Sequence, residues 1–116
     1  MRFTINFYKL PDGTEPVAEF LDSLDNDMAN KIQREILLLE EYGNMLREPH
    51  TKPLGDGIFE LRAKFASNIS RVLFFFYYKG MIILTNGFVK KTEKTPPEEI
   101  KKAKDARDDF IKRQRG

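Results

Sequence analysis

The chain has no cysteine and only one histidine, His50, in 116 residues. Without thiols there is neither a disulfide framework nor a thiolate metal site, and one imidazole cannot by itself build a zinc centre. No metal and no cofactor are therefore expected. Absence of cysteine also fits a reducing compartment. No apolar run approaches the roughly 20 residues that span a bilayer. The opening MRFTINFYKLPDG lacks the long apolar stretch and small-residue cleavage site of a signal peptide. A soluble, cytoplasmic protein is the expectation. Glycine-rich phosphate loops are missing too, since Gly80 and Gly87 sit in strand context and no GxGxxG occurs. A Ser-His-acid triad would need His50, and neither Ser67 nor Ser70 lies in a nucleophile elbow.

What is present points to a packed fold. Hydrophobic residues make up 41% of the chain, with ten phenylalanines, which excludes wholesale disorder. One domain over residues 1–116 is expected, because a chain of this size buries roughly two-thirds of its unfolded surface. Charge is uneven. Residues 1–89 hold ten Lys/Arg against twelve Asp/Glu, whereas residues 90–116 hold ten against six. The basic end implies either an acidic partner, nucleic acid or protein, or simply a solvated helix.

Periodicity gives the order β–α–α–β–β–β–α. Phe3, Ile5 and Phe7 alternate with polar neighbours, as in an edge strand that joins the sheet. Thr14 and Pro16 open a helix with Val17, Phe20, Leu21 and Leu24 on one face. Asp25-Asn26-Asp27 caps a second, running from about 26 to 42 before Gly43. Together they predict a helical hairpin on one sheet face, serving as scaffold. Residues 44–57, with Arg47, His50 and Lys52, read as an irregular connector or a functional loop. Three runs follow. Residues 58–65 alternate, with Glu60, Arg62 and Lys64 on a wet face; 69–78 are apolar except for Arg71; and 81–88 follow a Lys79-Gly80 connection. Thr95-Pro96-Pro97-Glu98 reads as a capped helix start, with Thr95 the N-cap. The fold class is α+β: a twisted, mostly antiparallel sheet of about four strands, an N-terminal helical hairpin and a C-terminal helix.

The carboxylates have helix-face spacing typical of solvation, so the candidate chemistry is cationic. A guanidinium in a buried strand needs a partner or a wet cleft. Arg71 is expected opposite residues 63–64, one row from Arg62, and either pairs with Glu60 or a helix carboxylate or, with Arg62, holds a phosphate. Lys90 and Lys91, just past the third run, reach the same cleft. Such a groove stabilises the extra charge of a phosphodiester transition state without metal. Attack by the neighbouring 2′-hydroxyl of RNA needs a base; a lysine beside other cations can serve, so Lys91 or Lys94 is the choice, catalytic with Arg62 and Arg71, and His50 is the other candidate. Lys52, Lys64, Lys90 and His50 are the candidate RNA-binding residues. Phe75, Tyr77, Tyr78 and Phe88 either pack the core or stack a base. Free RNA is expected to be a poor substrate, since a net charge of +2 is small for unaided binding.

GIFELR, then NISRVLFFF, then GFVKKTEKTP followed by a charged helix, resembles the HigB-like, phage-derived branch of the RelE/ParE toxin superfamily. The resemblance covers most of the chain. It implies a type II toxin with a RelE-like, microbial RNase-type fold. Such a toxin cleaves mRNA in the ribosomal A site, metal-free, and is neutralised by a cognate antitoxin, often a helix-turn-helix DNA-binding protein. Arg62, Arg71, Lys90 and Lys91 match the family's basic positions, and those matching Arg71 and Lys91 contribute to cleavage in RelE-like toxins. Some relatives use a tyrosine, or a histidine and an acid, near the C-terminus. Residues 90–116 contain neither Tyr nor His, so the base is open. A ParE-like gyrase inhibitor and a non-catalytic protein-binding module are the rival functions.

Overall fold

In the computed structural model, residues 2–90 and 94–115 are described. Strand β1 (Thr4–Phe7) leads into helices α1 (Pro16–Ser23) and α2 (Asn26–Tyr42). Strands β2 (Thr51–Gly55), β3 (Ile58–Phe65), β4 (Asn68–Tyr77) and β5 (Met81–Lys90) follow, and α3 (Pro97–Arg115) closes the chain. The five strands form one sheet in the order β1-β5-β4-β3-β2. Only the β1–β5 pairing is parallel; the other three are antiparallel. The α+β class and the mostly antiparallel sheet agree with the sequence reading and are broadly consistent with the RelE-like fold that the resemblance implies. The sheet has five strands rather than about four, because residues 51–55 pair with β3. Pro53 and Gly55 disguise β2, and an edge strand tolerates both, since its outer N–H groups need no ladder partner.

Two apolar layers cover the sheet. On one face Val17, Leu21, Ile32, Ile36 and Leu39 of the helical hairpin pack on Leu61, Val72, Phe74, Ile82 and Leu84. On the other, Ala103 and Ala106 of α3 lie against Ile58, Leu73, Phe75 and Ile83. Two backbone details set the geometry of the first face. The Asp25 side chain accepts the Met28 N–H at 3.0 Å and starts α2. Gly87 lies under Phe20, whose ring would meet an added Cβ at 2.4 Å.

Register decides which charges meet. The β3–β4 hairpin closes at Phe65↔Asn68, so its turn holds only Ala66 and Ser67 and Arg62 lies directly opposite Arg71. The expectation of residues 63–64 across from Arg71 assumed a slightly looser turn. The β4–β5 connection is longer than a dipeptide, running Tyr78–Gly80 between Tyr77 and Met81. Thr95 is not the N-cap of α3. The helix starts at Pro97, the Pro96 carbonyl accepts from Glu99 and Ile100, and the Thr95 hydroxyl donates to Glu60 instead. The Glu99 N–H that a cap would take is already bonded to the Pro96 carbonyl, and the Thr95 hydroxyl serves the buried Glu60 carboxylate as a donor. Among the described residues no helix is long and apolar enough to cross a membrane.

Candidate functional site

Three rows of side chains stack on the α3 face where β3 ends and β4 begins. The outermost is Lys64–Ile69–Lys90, the next Arg62–Arg71–Phe88, the third Glu60–Leu73–Asn86. Lys52 of β2 lies beside Glu60 and extends the third row. Alternation alone puts these residues on one face. Register and burial then divide them into two environments.

The inner environment is closed. Arg71 and Glu60 have fully buried side chains, and Arg71 Nε lies 3.8 Å from Glu60 Oε1. Arg62 Nε is 3.1 Å from the other oxygen, Oε2. One carboxylate thus stands between two arginines. Arg71 Nη1 donates to the Lys94 carbonyl at 3.2 Å, and its guanidinium lies 5.9 Å from the centroid of Phe88. Thr95 covers Glu60. The anion expected between Arg62 and Arg71 is here supplied by the protein.

The outer environment is open. A cavity of about 480 Å³ lies between α2 and the end of β3, lined by Lys31, Arg34, Glu35, Pro49, His50, Arg62, Ala63, Lys64 and Ile69. It forms because β2 stops pairing at Thr51↔Leu61, after which the Arg62 N–H takes the His50 carbonyl at 2.9 Å and the two chains part. His50 Nδ1 lies 2.6 Å from Glu35 Oε1, with the imidazole side chain 39% exposed. Lys31 Nζ donates to the Lys64 carbonyl at 3.0 Å, bracing α2 against the strand. Four of the lining side chains are permanent cations and one is an acid. An anion is favoured there by summed Coulomb attraction, and a half-open wall screens it less than bulk water does.

Of the residues singled out from sequence, Arg62, Lys64 and His50 meet at the cavity. Arg71 adjoins it through Arg62 but is itself buried. Lys90 is exposed at the end of β5, across Ile69 from Lys64. Lys94 is exposed, and its carbonyl is the Arg71 acceptor. Lys91 lies outside the described residues. Among the aromatics, Phe75 and Tyr77 pack edge-on against Phe110 at 5.8 and 5.1 Å, which is core packing. Phe88 lies against Arg71, and Tyr78 is exposed at the other end of β4. Sequence reasoning missed Lys31, Arg34 and Glu35, having treated α2 as cover alone. Their spacing of i, i+3, i+4 was the available signal, since it puts all three on one stripe. Among the described residues no cluster of three His, Asp or Glu side chains is disposed to hold a metal.

A family model described as phage derived protein Gp49-like matches residues 19–108, from within α1 to within α3. No curated protein matches the chain.

Proposed function

The chain belongs to the phage-derived Gp49-like family, a RelE-like toxin family, and we propose that it is the toxin of a type II toxin–antitoxin pair that cleaves mRNA on the ribosome. Family membership supports an antitoxin partner; the nuclease reading rests on the site. The observation that carries it is the meeting of the chain's sole histidine with Arg62, Lys64, Lys31 and Arg34 around one cavity. Metal-free cleavage of RNA needs a proton acceptor for the 2′-hydroxyl and fixed cations for the phosphate, and this cavity has both.

In this reading the 2′-oxygen bonds to phosphorus as its proton passes to His50. The P–O5′ bond breaks, the 5′-oxygen takes up a proton from water, and a 2′,3′-cyclic phosphate remains. Arg62 and Lys64 hold the non-bridging oxygens, while Lys90 and Lys52 meet the flanking backbone. Arg71 acts behind them by holding Glu60, and with it Arg62, in place. Lys94, exposed beside this network, and Lys91 remain the alternative bases. Free RNA is a poor substrate because a net charge of +2 gives little counterion-release affinity, so the ribosome presents the strand.

The test is to map mRNA 5′ ends after a short induction in bacteria lacking the antitoxin. New ends inside translated codons, absent with His50→Ala, are expected. His50 is the better probe than Arg71, whose removal would disturb a buried ion network and confuse folding with chemistry. Growth arrest without new ends would sink the nuclease reading and favour a ParE-like attack on gyrase. No arrest at all would favour a binding module for an acidic partner.

A further inference from the structure

Glu35 lies on α2, an element whose role in the sequence pattern is to cover the sheet, and yet its carboxylate reaches out of that role. The apolar stripe of the helix is Met28, Ile32, Ile36 and Leu39, all buried. Glu35 sits beside it and places Oε1 2.6 Å from His50 Nδ1. An ionised carboxylate can only accept hydrogen bonds, so Nδ1 must carry the proton. In the neutral ring the lone pair is then on Nε2, the nitrogen turned from Glu35. A histidine without such a partner prefers the opposite tautomer, with Nε2 protonated and useless as a base.

We propose that Glu35 is the positioning residue of this site, holding His50 as the Nδ1–H tautomer so that Nε2 is the proton acceptor. This inference takes the ligand to be the RNA phosphodiester and so rests on the nuclease reading. Three features of the cavity support it. Lys31 braces the same helical turn against the Lys64 carbonyl at 3.0 Å, which fixes the height of Glu35 relative to β3. The His50 carbonyl is tied to the Arg62 N–H at 2.9 Å, which fixes the other end of the histidine. Arg34, Arg62 and Lys64 line the remaining wall. A phosphate drawn to them is brought beside the imidazole, which shares the cavity wall with Glu35.

Because His50 is the only histidine, its imidazole nitrogens give one unambiguous set of signals in a long-range ¹H–¹⁵N spectrum of the full chain. At a pH where the ring is neutral, the wild type is expected to show the Nδ1–H form. Glu35→Gln keeps an acceptor oxygen at the same place and should retain that form. Glu35→Leu should shift the ring toward Nε2–H. On programmed ribosomes, the Leu variant should lose about 10- to 100-fold in kcat with KM held, by the measure of carboxylates that orient metal-bound imidazoles. An unchanged tautomer in Glu35→Leu would overturn the proposal, as would a switched tautomer with undiminished cleavage. A wild type that shows the Glu35-dependent tautomer but cuts no RNA would overturn the nuclease reading while leaving the positioning by Glu35 standing.

Discussion

Two carboxylates, Glu60 and Glu35, each hold a basic side chain in this molecule, and they do so on opposite terms. Glu60 is fully buried with Arg71, is shared with Arg62 and is covered by Thr95. Glu35 is 18% exposed and its imidazole partner 39% exposed, at the wall of an open cavity. The first arrangement is expensive to disturb, because any unpaired charge would remain away from water. The second is inexpensive to disturb, because water replaces whatever is lost. A structural ion network and the candidate site therefore adjoin, linked by Arg62, and differ mainly in solvent access.

The largest effect should come from breaking the closed side. Glu60→Ala leaves Arg62 and Arg71 facing each other without their shared carboxylate, and should cost about 3–5 kcal/mol by urea unfolding. A loss under about 1 kcal/mol would erase the distinction drawn between the two carboxylates. Packing over the same sheet supplies a comparison without charge. Gly87→Ala forces a methyl into Phe20, and an overpacked core should lose about 1–3 kcal/mol. On the open side stability and activity should separate. His50→Ala should change unfolding by less than about 1 kcal/mol, while ribosome-dependent cleavage falls about 10²- to 10⁴-fold. Equal losses in both would make His50 a structural residue.

The smallest effect lies at the far end of α3. Asp109 there is held below the ordinary carboxylate value of 3.8, first by the Arg113 hydrogen bond and then by that of the Tyr8 hydroxyl. A depressed folded value means that its contribution is present above the ordinary value and is lost as pH falls through the folded one. Acid titration followed by the Tyr8 ring signals should thus show the Tyr8–Asp109 contact, 2.7 Å between oxygens, releasing before global unfolding. Asp109→Asn should remove that acid step.

The basic surplus of residues 90–116 illustrates how far charge can be read from sequence. Part of it is drawn into the fold by Asp56, which pairs with both Lys104 and Arg107, while Lys101–Asp105, Lys102–Glu99 and Arg113–Asp109 pair inside the segment and leave its surplus unchanged. Cations facing the open cavity come instead from the first 89 residues, whose formal balance is acidic. Net charge by segment says little about a surface, because folding pairs charges that are distant in sequence. The basic pair Lys90-Lys91 points to the end of β5, whereas the cavity lies between α2 and the end of β3.

Period and punctuation were enough for most of the elements. The Asp25 cap, Gly43 and the apolar spacing between them marked α2 at its observed limits, because caps and amphipathic faces are local. The three-strand meander and the edge strand β1 were legible for the same reason. β2 was not, since an edge strand with Pro53 and Gly55 has no local signature and exists only through its partner β3. Of the site, residue types alone marked His50, Arg62, Lys64 and Arg71 as unusual. That Arg71 is enclosed while His50 stays open, and that Glu35 rather than a neighbour in sequence attends the histidine, depended on long-range placement. A two-residue turn put Arg62 across from Arg71, and the early end of β2 opened the cavity against α2. The sequence by itself determined which elements form and which groups carry charge, as these follow from side-chain chemistry at short range. Tertiary structure decided which charges share water and which do not, because solvent access belongs to the packed assembly of elements and to no one of them.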